Sequence, residues 1–284
     1  MKRGGRIGLL YVLPGLAGLC VFYIAPFFYS LRYIFTRGVS QVEFVGLANF
    51  RDLFRNPAFG LAMKNTVIFT GISVPLLVLA ALLLAAALQR RDSKFLRWTM
   101  LAPMIIPVAS ALLGWSAILG QDGLLGRLIQ VLGGQGANYL AEPWARWSLM
   151  LMFFVKNLGY MTVILGGALA SIPKEYREAY SLDSNSLWGY TFRIAAPIIS
   201  PVIFFVAVLS LVNSFQIFRE VYGLYGDYPP NSLYMLQTFM NNNFAKLNYS
   251  RLCTASFTVS MAIALAVSVY LWFQRQAAKE ESGL

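Results

Sequence analysis

One long segment of the chain is both charged and helically patterned: Ile172-Pro-Lys-Glu-Tyr-Arg-Glu-Ala-Tyr-Ser-Leu-Asp-Ser-Asn-Ser-Leu-Trp-Gly-Tyr-Thr-Phe-Arg-Ile-Ala-Ala-Pro-Ile-Ile-Ser-Pro201. Ser171 just before it is a residue type that caps helix N-termini, and Pro173 suits a first helical turn. Glu175 places negative charge near the positive end of the helix dipole. The pattern predicts that a short helix begins here.

The middle of this segment predicts a turn. The run Asp183-Ser-Asn-Ser186 consists of residues that hydrogen-bond their own backbone, and an apolar pattern resumes from Leu187 to Ala195 and stops before Pro197. Long apolar runs lie on both sides of the whole segment. The sequence therefore predicts a helix-turn-helix, over residues 171–196, that connects two membrane spans.

The composition indicates an integral membrane protein. Of the 284 residues, 58% are apolar and only 12% are charged, whereas a soluble domain has about 25% charged residues. The formal charge of +11 comes from basic residues at span ends and in loops, where anionic lipid headgroups attract them, so nucleic-acid binding is not expected. The chain has no histidine and only two cysteines, Cys20 and Cys253, both within apolar runs, which predicts no metal site, no nucleophile and no disulfide.

A helix needs about 20 apolar residues to cross the hydrocarbon layer. Six stretches meet this requirement, and the first is too long for a cleaved signal peptide. The expected spans are Ile7 to Leu31, Thr66 to Leu88, Trp98 to Leu119, Trp147 to Ala170, Ile194 to Phe218 and Leu252 to Phe273.

The only charged residue within these six stretches is Lys156. We expect its ammonium group to lie near one end of the fourth span and to reach the interface, in a structural role rather than as a transported-ion site. The stretches contain no carboxylate and no histidine. Prolines in several spans favour kinked helices around a cavity, which indicates a transport pathway rather than a simple anchor.

The distribution of basic residues predicts a cytoplasmic N-terminus. The shortest loop contains four of them, Arg90, Arg91, Lys94 and Arg97, and such density marks cytoplasmic loops. With six spans, the C-terminus and the loop around Glu178 then lie on the same side.

The loop resembles the "EAA" loop of ABC importer permeases, in which Glu-Ala-Ala is followed by a Gly-Ala turn and then by Phe, Ile and Pro. The corresponding run is Glu178-Ala179-Tyr180-x-x-Asp183-Ser184, followed by Phe192, Ile194, Pro197 and Pro201. Tyr180, Ser184 and Asn185 depart from the pattern, but Ser and Asn tolerate a tight turn, Asn even with a positive φ. The resemblance implies that this loop docks on an ATPase subunit, through Glu175, Glu178, Ala179, Asp183, Ser184, Asn185, Phe192 and Pro197.

Other segments resemble the carbohydrate-uptake branch of the same permeases, of the maltose and glycerol-phosphate type and specifically the upstream member of its permease pairs. They are Tyr11-Val-Leu-Pro-Gly, Gly46-Leu-Ala-Asn-Phe, Gly120-Gln-Asp-Gly-Leu-Leu-Gly and Tyr222-Gly-Leu-Tyr-Gly-Asp-Tyr-Pro-Pro-Asn-Ser. The implied fold is all-α: one transmembrane domain over residues 1–284, with six transmembrane helices and a cytoplasmic coupling loop, the type I importer permease fold.

The resemblance also implies partners. These are a second homologous permease, two ATPase subunits that carry ATP and Mg²⁺, an extracytoplasmic solute-binding protein and the lipid of a prokaryotic plasma membrane. The chain itself lacks the phosphate-binding motif G-x-x-x-x-G-K-[ST] and is expected to bind no cofactor. Glu175 and Glu178 resemble a catalytic carboxylate pair, but Lys174 and Arg177 beside them favour a solvated, salt-bridged helix, so the chain is not expected to be an enzyme.

Polar and aromatic residues within the spans are candidates for a sugar path, because sugars bind to polar side chains and stack on aromatic rings. Hydrogen bonds between helices, with no ligand, explain the same residues equally well. The alternative function is a stand-alone secondary carrier or channel, which predicts membrane-embedded carboxylates or histidines. A structural membrane scaffold is a third interpretation. The candidate path residues are Asn157, Tyr160, Asn213, Phe215 and Gln216.

Overall fold

A computed structural model describes residues 3–38, 42–89 and 94–282 of the chain. The helices within these ranges are α1 (Arg3–Leu19), α2 (Ala25–Phe35), α3 (Ala48–Phe54), α4 (Pro57–Leu88), α5 (Lys94–Ile105), α6 (Val108–Leu119), α7 (Leu124–Val131), α8 (Ala145–Ala170), α9 (Lys174–Asp183), α10 (Leu187–Tyr190), α11 (Ala196–Ile198), α12 (Ser200–Gln216), α13 (Phe218–Tyr225), α14 (Leu236–Ala245) and α15 (Tyr249–Ser282). A short 3₁₀ turn covers Asn231–Leu233, and β1 (Thr36–Arg37) pairs antiparallel with β2 (Glu43–Phe44). Arg90 and Arg91, on which the orientation argument partly depends, lie outside the described residues.

Six helical stretches in the described part of the chain are long and apolar enough to cross a membrane. Five of them contain an expected span or most of it. The expected third span, from Trp98 to Leu119, is divided at Ile106 and Pro107 into α5 and α6. Pro107 has extended backbone angles (φ −56°, ψ 139°), and a proline disfavours helical geometry in the residue before it, so the helix ends and restarts there. The fifth expected span, from Ile194 to Phe218, does not end at Phe218, because the chain continues there as helix α13.

Two π-helical turns precede Ala-Pro pairs. They cover Cys20–Ile24, before Pro26, and Thr191–Ala195, before Pro197. In each turn a backbone N–H donates to the carbonyl five residues earlier, which shifts the hydrogen-bond register just where proline has no N–H to donate. The prediction that the helical pattern stops before Pro197 is therefore wrong, because the π turn carries the helix through this proline into α11.

The chain forms two compact units, and the larger one is Leu61–Thr238. Its core is built by α4, α8 and α12, with fully buried side chains such as Phe69, Phe153 and Val206. The rings of Phe69 and Phe153 meet edge to face at 5.6 Å between centroids. Along α8, buried residues recur on nearly every turn, so this helix is the centre of the unit.

The other unit consists of Met1–Gly60 with Phe239–Leu284. Asn49 on α3 is buried, and its amide donates to the carbonyl groups of Ile34 (2.8 Å) and Thr36 (3.0 Å). These bonds satisfy backbone groups at the end of α2 and hold α3 against it. The rings of Phe59 and Phe239 also pack together, with 5.5 Å between centroids.

Candidate coupling hairpin and solute path

The predicted helix-turn-helix is present as α9, a turn at residues 184–186 and α10. Ser184 is extended, and its Oγ accepts a hydrogen bond from the backbone N–H of Ser186 (3.2 Å). The Oγ of Ser186 in turn accepts from the N–H of Gly189 (3.1 Å) and caps α10. The turn needs no positive φ at Asn185, since Leu247 is the only residue besides glycine with positive φ in the described part of the chain.

Ser171 does not cap α9, contrary to the prediction. Its hydroxyl donates to the carbonyl of Ala168 at 2.7 Å, at the end of α8. Helix α9 begins only at Lys174, after an extended Pro173 (ψ 141°), so Ser171 is too far from its first turn. A serine between two helices can cap the start of the second helix or hydrogen-bond to a carbonyl at the end of the first. Ser171 does the latter.

Tyr180, which departs from the family pattern, is accommodated by a glycine. Its ring packs against that of Tyr190 with 5.8 Å between centroids. Its hydroxyl occupies the space that a Cβ at Gly189 would need. The larger side chain on α9 is thus matched by the absence of a side chain on α10. A cavity of about 100 Å³ lies beside this contact, lined by residues that include Arg177, Ser184 and Asn185.

The rest of the hairpin surface is open. Helix α9 contributes no buried side chain, and Leu182 is 88% exposed. No ion pair links Glu175 or Glu178 to a basic residue in the described part of the chain, so the helix is solvated but not salt-bridged. Sequence reasoning missed the apolar part of this surface: Tyr176, Leu182 and Trp188. Of the predicted docking residues, Ser184 is half-buried and the others are exposed: Glu175, Glu178, Ala179, Asp183, Asn185, Phe192 and Pro197.

Two of the predicted path residues meet in the larger unit. The amide of Asn213 on α12 donates to Oδ1 of Asn157 on α8 at 3.0 Å, and the Asn157 amide donates to the Phe153 carbonyl at 2.8 Å. Asn157 is buried and Asn213 is half-buried. This hydrogen-bonded pair of asparagines, called the polar centre below, lies between the helices α8 and α12.

The other three predicted path residues form no hydrogen bond with this pair in the part of the chain that the structure describes. Tyr160 lies one turn further along α8 and is half-buried. Phe215 lines a cavity of about 10 Å³ together with residues such as Thr66 and Phe69, which is room for about one water molecule. Gln216 is exposed at the end of α12 and does not join the asparagine pair.

Close packing of α5 on α8 shapes the same region. A Cβ at Gly159 would collide with the backbone carbonyl of Met100 on α5. Because backbone cannot yield as a side chain can, only glycine fits at this position, between Asn157 and Tyr160.

The expected position of Lys156 is wrong. It lies near the middle of α8, and its Nζ donates to Oε1 of Glu220 at 2.6 Å. The Glu220 side chain is only 6% exposed. Glu220 lies just beyond Phe218, the expected end of the fifth span, but after a break at Ile217 the chain continues as α13, and this carboxylate lies against Lys156 of α8. The expected stretches still contain no carboxylate, but the apolar helical stretch from Ser200 to Tyr225 extends past the expected end of the fifth span and includes Glu220.

Six apolar helical stretches, a polar centre between α8 and α12 and an exposed hairpin fit a membrane transport subunit. Comparison with known proteins agrees with this class. Residues 46–280 match the family described as "binding-protein-dependent transport system inner membrane component", and the chain belongs to that family. It is therefore a permease subunit of an ABC importer, in which a separate subunit is the ATPase, as predicted.

The relatives are permeases of solute importers. The chain is similar to a lactose transport system permease of Rhizobium radiobacter (29% identity, 96% of this chain and 94% of the relative). It is also similar to a trehalose/maltose permease of Thermococcus litoralis (28%, 80% and 79%) and to an sn-glycerol-3-phosphate permease of Pectobacterium atrosepticum (30%, 75% and 74%). A crystal structure of a bacterial ABC transporter that imports alginate contains a chain with the same fold (TM-score 0.82, 21% identity, 96% of each chain).

Proposed function

We propose that this chain forms, with a second homologous permease, the membrane path of a carbohydrate importer, and that the α9–α10 hairpin receives the force of ATP hydrolysis. An extracytoplasmic binding protein delivers the solute to the opposite face. Two ATPase subunits hold ATP and Mg²⁺, and this chain holds neither. The N- and C-termini lie in the cytoplasm with the hairpin.

The observation that carries this proposal is the exposure of α9. A helix of ten residues is marginal in water, and most helices are stabilised by burying an apolar face. Helix α9 contains no fully buried residue and packs on its own chain mainly through the half-buried Tyr180, yet it presents Leu182 and Tyr176 to the outside. An exposed apolar surface on a short helix outside the spans is typical of a helix that binds in a groove of a partner protein, where this surface is removed from water.

The mechanism follows from this contact. When ATP draws two ATPase subunits together, each groove moves the hairpin that it holds. The hairpin is continuous with the core through the π turn and α11, which lead into α12. Displacement of the hairpin therefore reaches α12, which carries Asn213, and reorients one permease against the other.

The solute class is supported by the relatives and by the polar centre. The relatives' solutes are lactose, trehalose or maltose, and sn-glycerol 3-phosphate, and the alginate importer has the same fold. An Asn157–Asn213 pair with a tyrosine one turn away supplies amide donors, amide acceptors and an aromatic face, which are the groups that bind sugars.

The buried Glu220 is a carboxylate of the kind that a stand-alone carrier would also require. Family membership nevertheless assigns the energy source to a separate ATPase, so a carrier mechanism is not proposed.

Charge reversal on the hairpin tests the docking surface. We expect Glu178→Lys or Asp183→Lys to abolish co-purification of the ATPase subunits with the permease pair, and sugar uptake with it. The matched control is Asp122→Lys, an exposed aspartate outside the hairpin, which should retain the ATPase. If both hairpin variants co-purify with the ATPase and transport normally, the docking surface is misassigned.

A further inference from the structure

A buried ion pair outside the predicted path has one oxygen without a partner. Glu220 receives a hydrogen bond from Lys156 on Oε1, while its Oε2 is buried and has no hydrogen-bond partner among the described residues. The Lys156 side chain is 28% exposed, and of the three N–H donors of its ammonium group one bonds to Glu220. The pair therefore retains an unused acceptor and unused donors.

The ion pair adjoins the polar centre. Lys156 precedes Asn157, and Tyr160 lies on the same face of α8 as Lys156, one turn away. Glu220 follows Asn213 across the break at Ile217 between α12 and α13. Discontinuous helices are a common feature of transporter binding sites, because a break frees backbone groups and redirects side chains toward a solute.

A purely structural role explains this pair poorly. Only the carboxylate of this pair is fully buried, but taking its charge out of water still costs free energy, and replacing a buried ion pair by apolar residues of similar size is often neutral or stabilising. A second carboxylate oxygen buried without a partner adds a further cost. The arrangement is unfavourable for the empty chain and becomes favourable when a hydroxyl group donates to Oε2.

We propose that Lys156 and Glu220 form one end of the solute site and select uncharged, polyhydroxylated solutes. Oε2 of Glu220 accepts a hydrogen bond from one solute hydroxyl, and Nζ of Lys156 donates to a neighbouring oxygen. Because the pair has no net charge, it provides no positive charge that would balance an anionic solute, and the Glu220 carboxylate repels such a solute. The inference rests on the proposed function and narrows its solute class to neutral sugars.

Saturation-transfer NMR on the purified permease–ATPase complex without its binding protein measures this site directly. The probes are lactose, trehalose and maltose as neutral sugars and sn-glycerol 3-phosphate as the anion, at millimolar concentration. We expect the wild-type complex to bind at least one neutral sugar and not the anion. Glu220→Gln leaves the charge of Lys156 uncompensated, so neutral-sugar binding should weaken about tenfold and binding of the anion should appear.

The double variant Lys156→Met/Glu220→Leu separates solute binding from folding. It keeps the volume and removes both charges, so the complex should assemble while neutral-sugar binding is lost. Asp52→Asn, which removes a partner of the exposed Arg37–Asp52 ion pair, is the matched control and should bind sugar as the wild type does.

Two results would overturn the inference in different ways. If the double variant or Glu220→Gln binds neutral sugars as the wild type does, the pair is not part of the site, although the proposed function stands. If the assembled wild-type complex binds none of the sugars, the carbohydrate assignment itself fails and the inference with it.

Discussion

The coupling hairpin and the polar centre differ in how far their contacts reach along the chain. Within the hairpin, the contacts that shape the turn join residues at most ten apart, such as Tyr180 with Tyr190 and Ser186 with Gly189. In the polar centre, Asn157 and Asn213 are 56 residues apart, and Lys156 and Glu220 are 64 apart. A local motif can be recognised from its own residues, whereas a site assembled from distant segments depends on where each helix ends.

The two regions also differ in what stabilises them. Helix α8 buries side chains along its whole length, but α9 buries none. We therefore expect substitutions in the centre to act on the stability of the chain and on the solute, and substitutions on the hairpin to act on the ATPase contact. Each of the following experiments tests this separation, and they are ordered from the largest expected effect to the smallest.

The largest effect is expected for Glu220→Leu. It leaves the ammonium of Lys156 against α13 without its carboxylate, and removing one partner of a buried ion pair costs roughly 3–5 kcal/mol. Because Lys156 is partly exposed and can turn toward water, the lower end of this range is expected. The measurement is the apparent melting temperature of the purified complex, and Lys156→Met/Glu220→Leu should recover most of the loss. A double variant as unstable as the single one would show that the attraction itself stabilises the fold.

The next effect is expected for Leu182→Asp on the hairpin. Leu182 contacts little within its own chain, so its apolar surface is available to the ATPase, and full burial of a leucine contributes about 1.5–3 kcal/mol. We expect the ATPase subunits to bind at least about tenfold more weakly, while the melting temperature of the permease pair stays unchanged. Leu132→Asp is the control, since Leu132 is also strongly exposed but lies beside α7. Unchanged ATPase affinity would remove Leu182 from the interface.

A smaller effect is expected for Asn213→Ala. The substitution removes the amide group that donates to Oδ1 of the buried Asn157, and leaving this oxygen without a donor lowers the stability of the fold by about 1–3 kcal/mol. Sugar uptake should fall while the ATPase remains bound and its co-purification is unchanged. Gln216→Ala removes an exposed amide, so a weaker effect on uptake is expected. If Asn213→Ala transports normally, the asparagine pair is only a contact between helices.

The sequence predicted the hairpin and the apolar stretches well, because both depend on local periodicity and composition. The turn at 184–186 is an example, since serine side chains decide it within three residues. The sequence did not predict the two π turns, because their register shift depends on how the helix accommodates Pro26 and Pro197. It also missed the pairing of Glu220, because the residues near Phe218 are less apolar than α12 and resemble a loop until tertiary contacts extend the helix.

The smallest effect, and the sharpest test of the hairpin's own packing, concerns Gly189. A methyl group there would meet the hydroxyl of Tyr180, so Gly189→Ala should cost about 1 kcal/mol, at the low end for overpacking because the tyrosine can shift. Because this strain displaces the hairpin surface, Gly189→Ala should also weaken ATPase binding. Tyr180→Phe keeps the ring contact with Tyr190 and removes the hydroxyl, so the double variant Tyr180→Phe/Gly189→Ala should bind the ATPase as the wild type does. Gly166→Ala is the control, because a Cβ on that face of α8 meets open space and alanine is the better helix former. If Gly189→Ala alone binds the ATPase normally, the Tyr180 side chain can move to another position. Glycine at position 189 would then not be required to accommodate Tyr180.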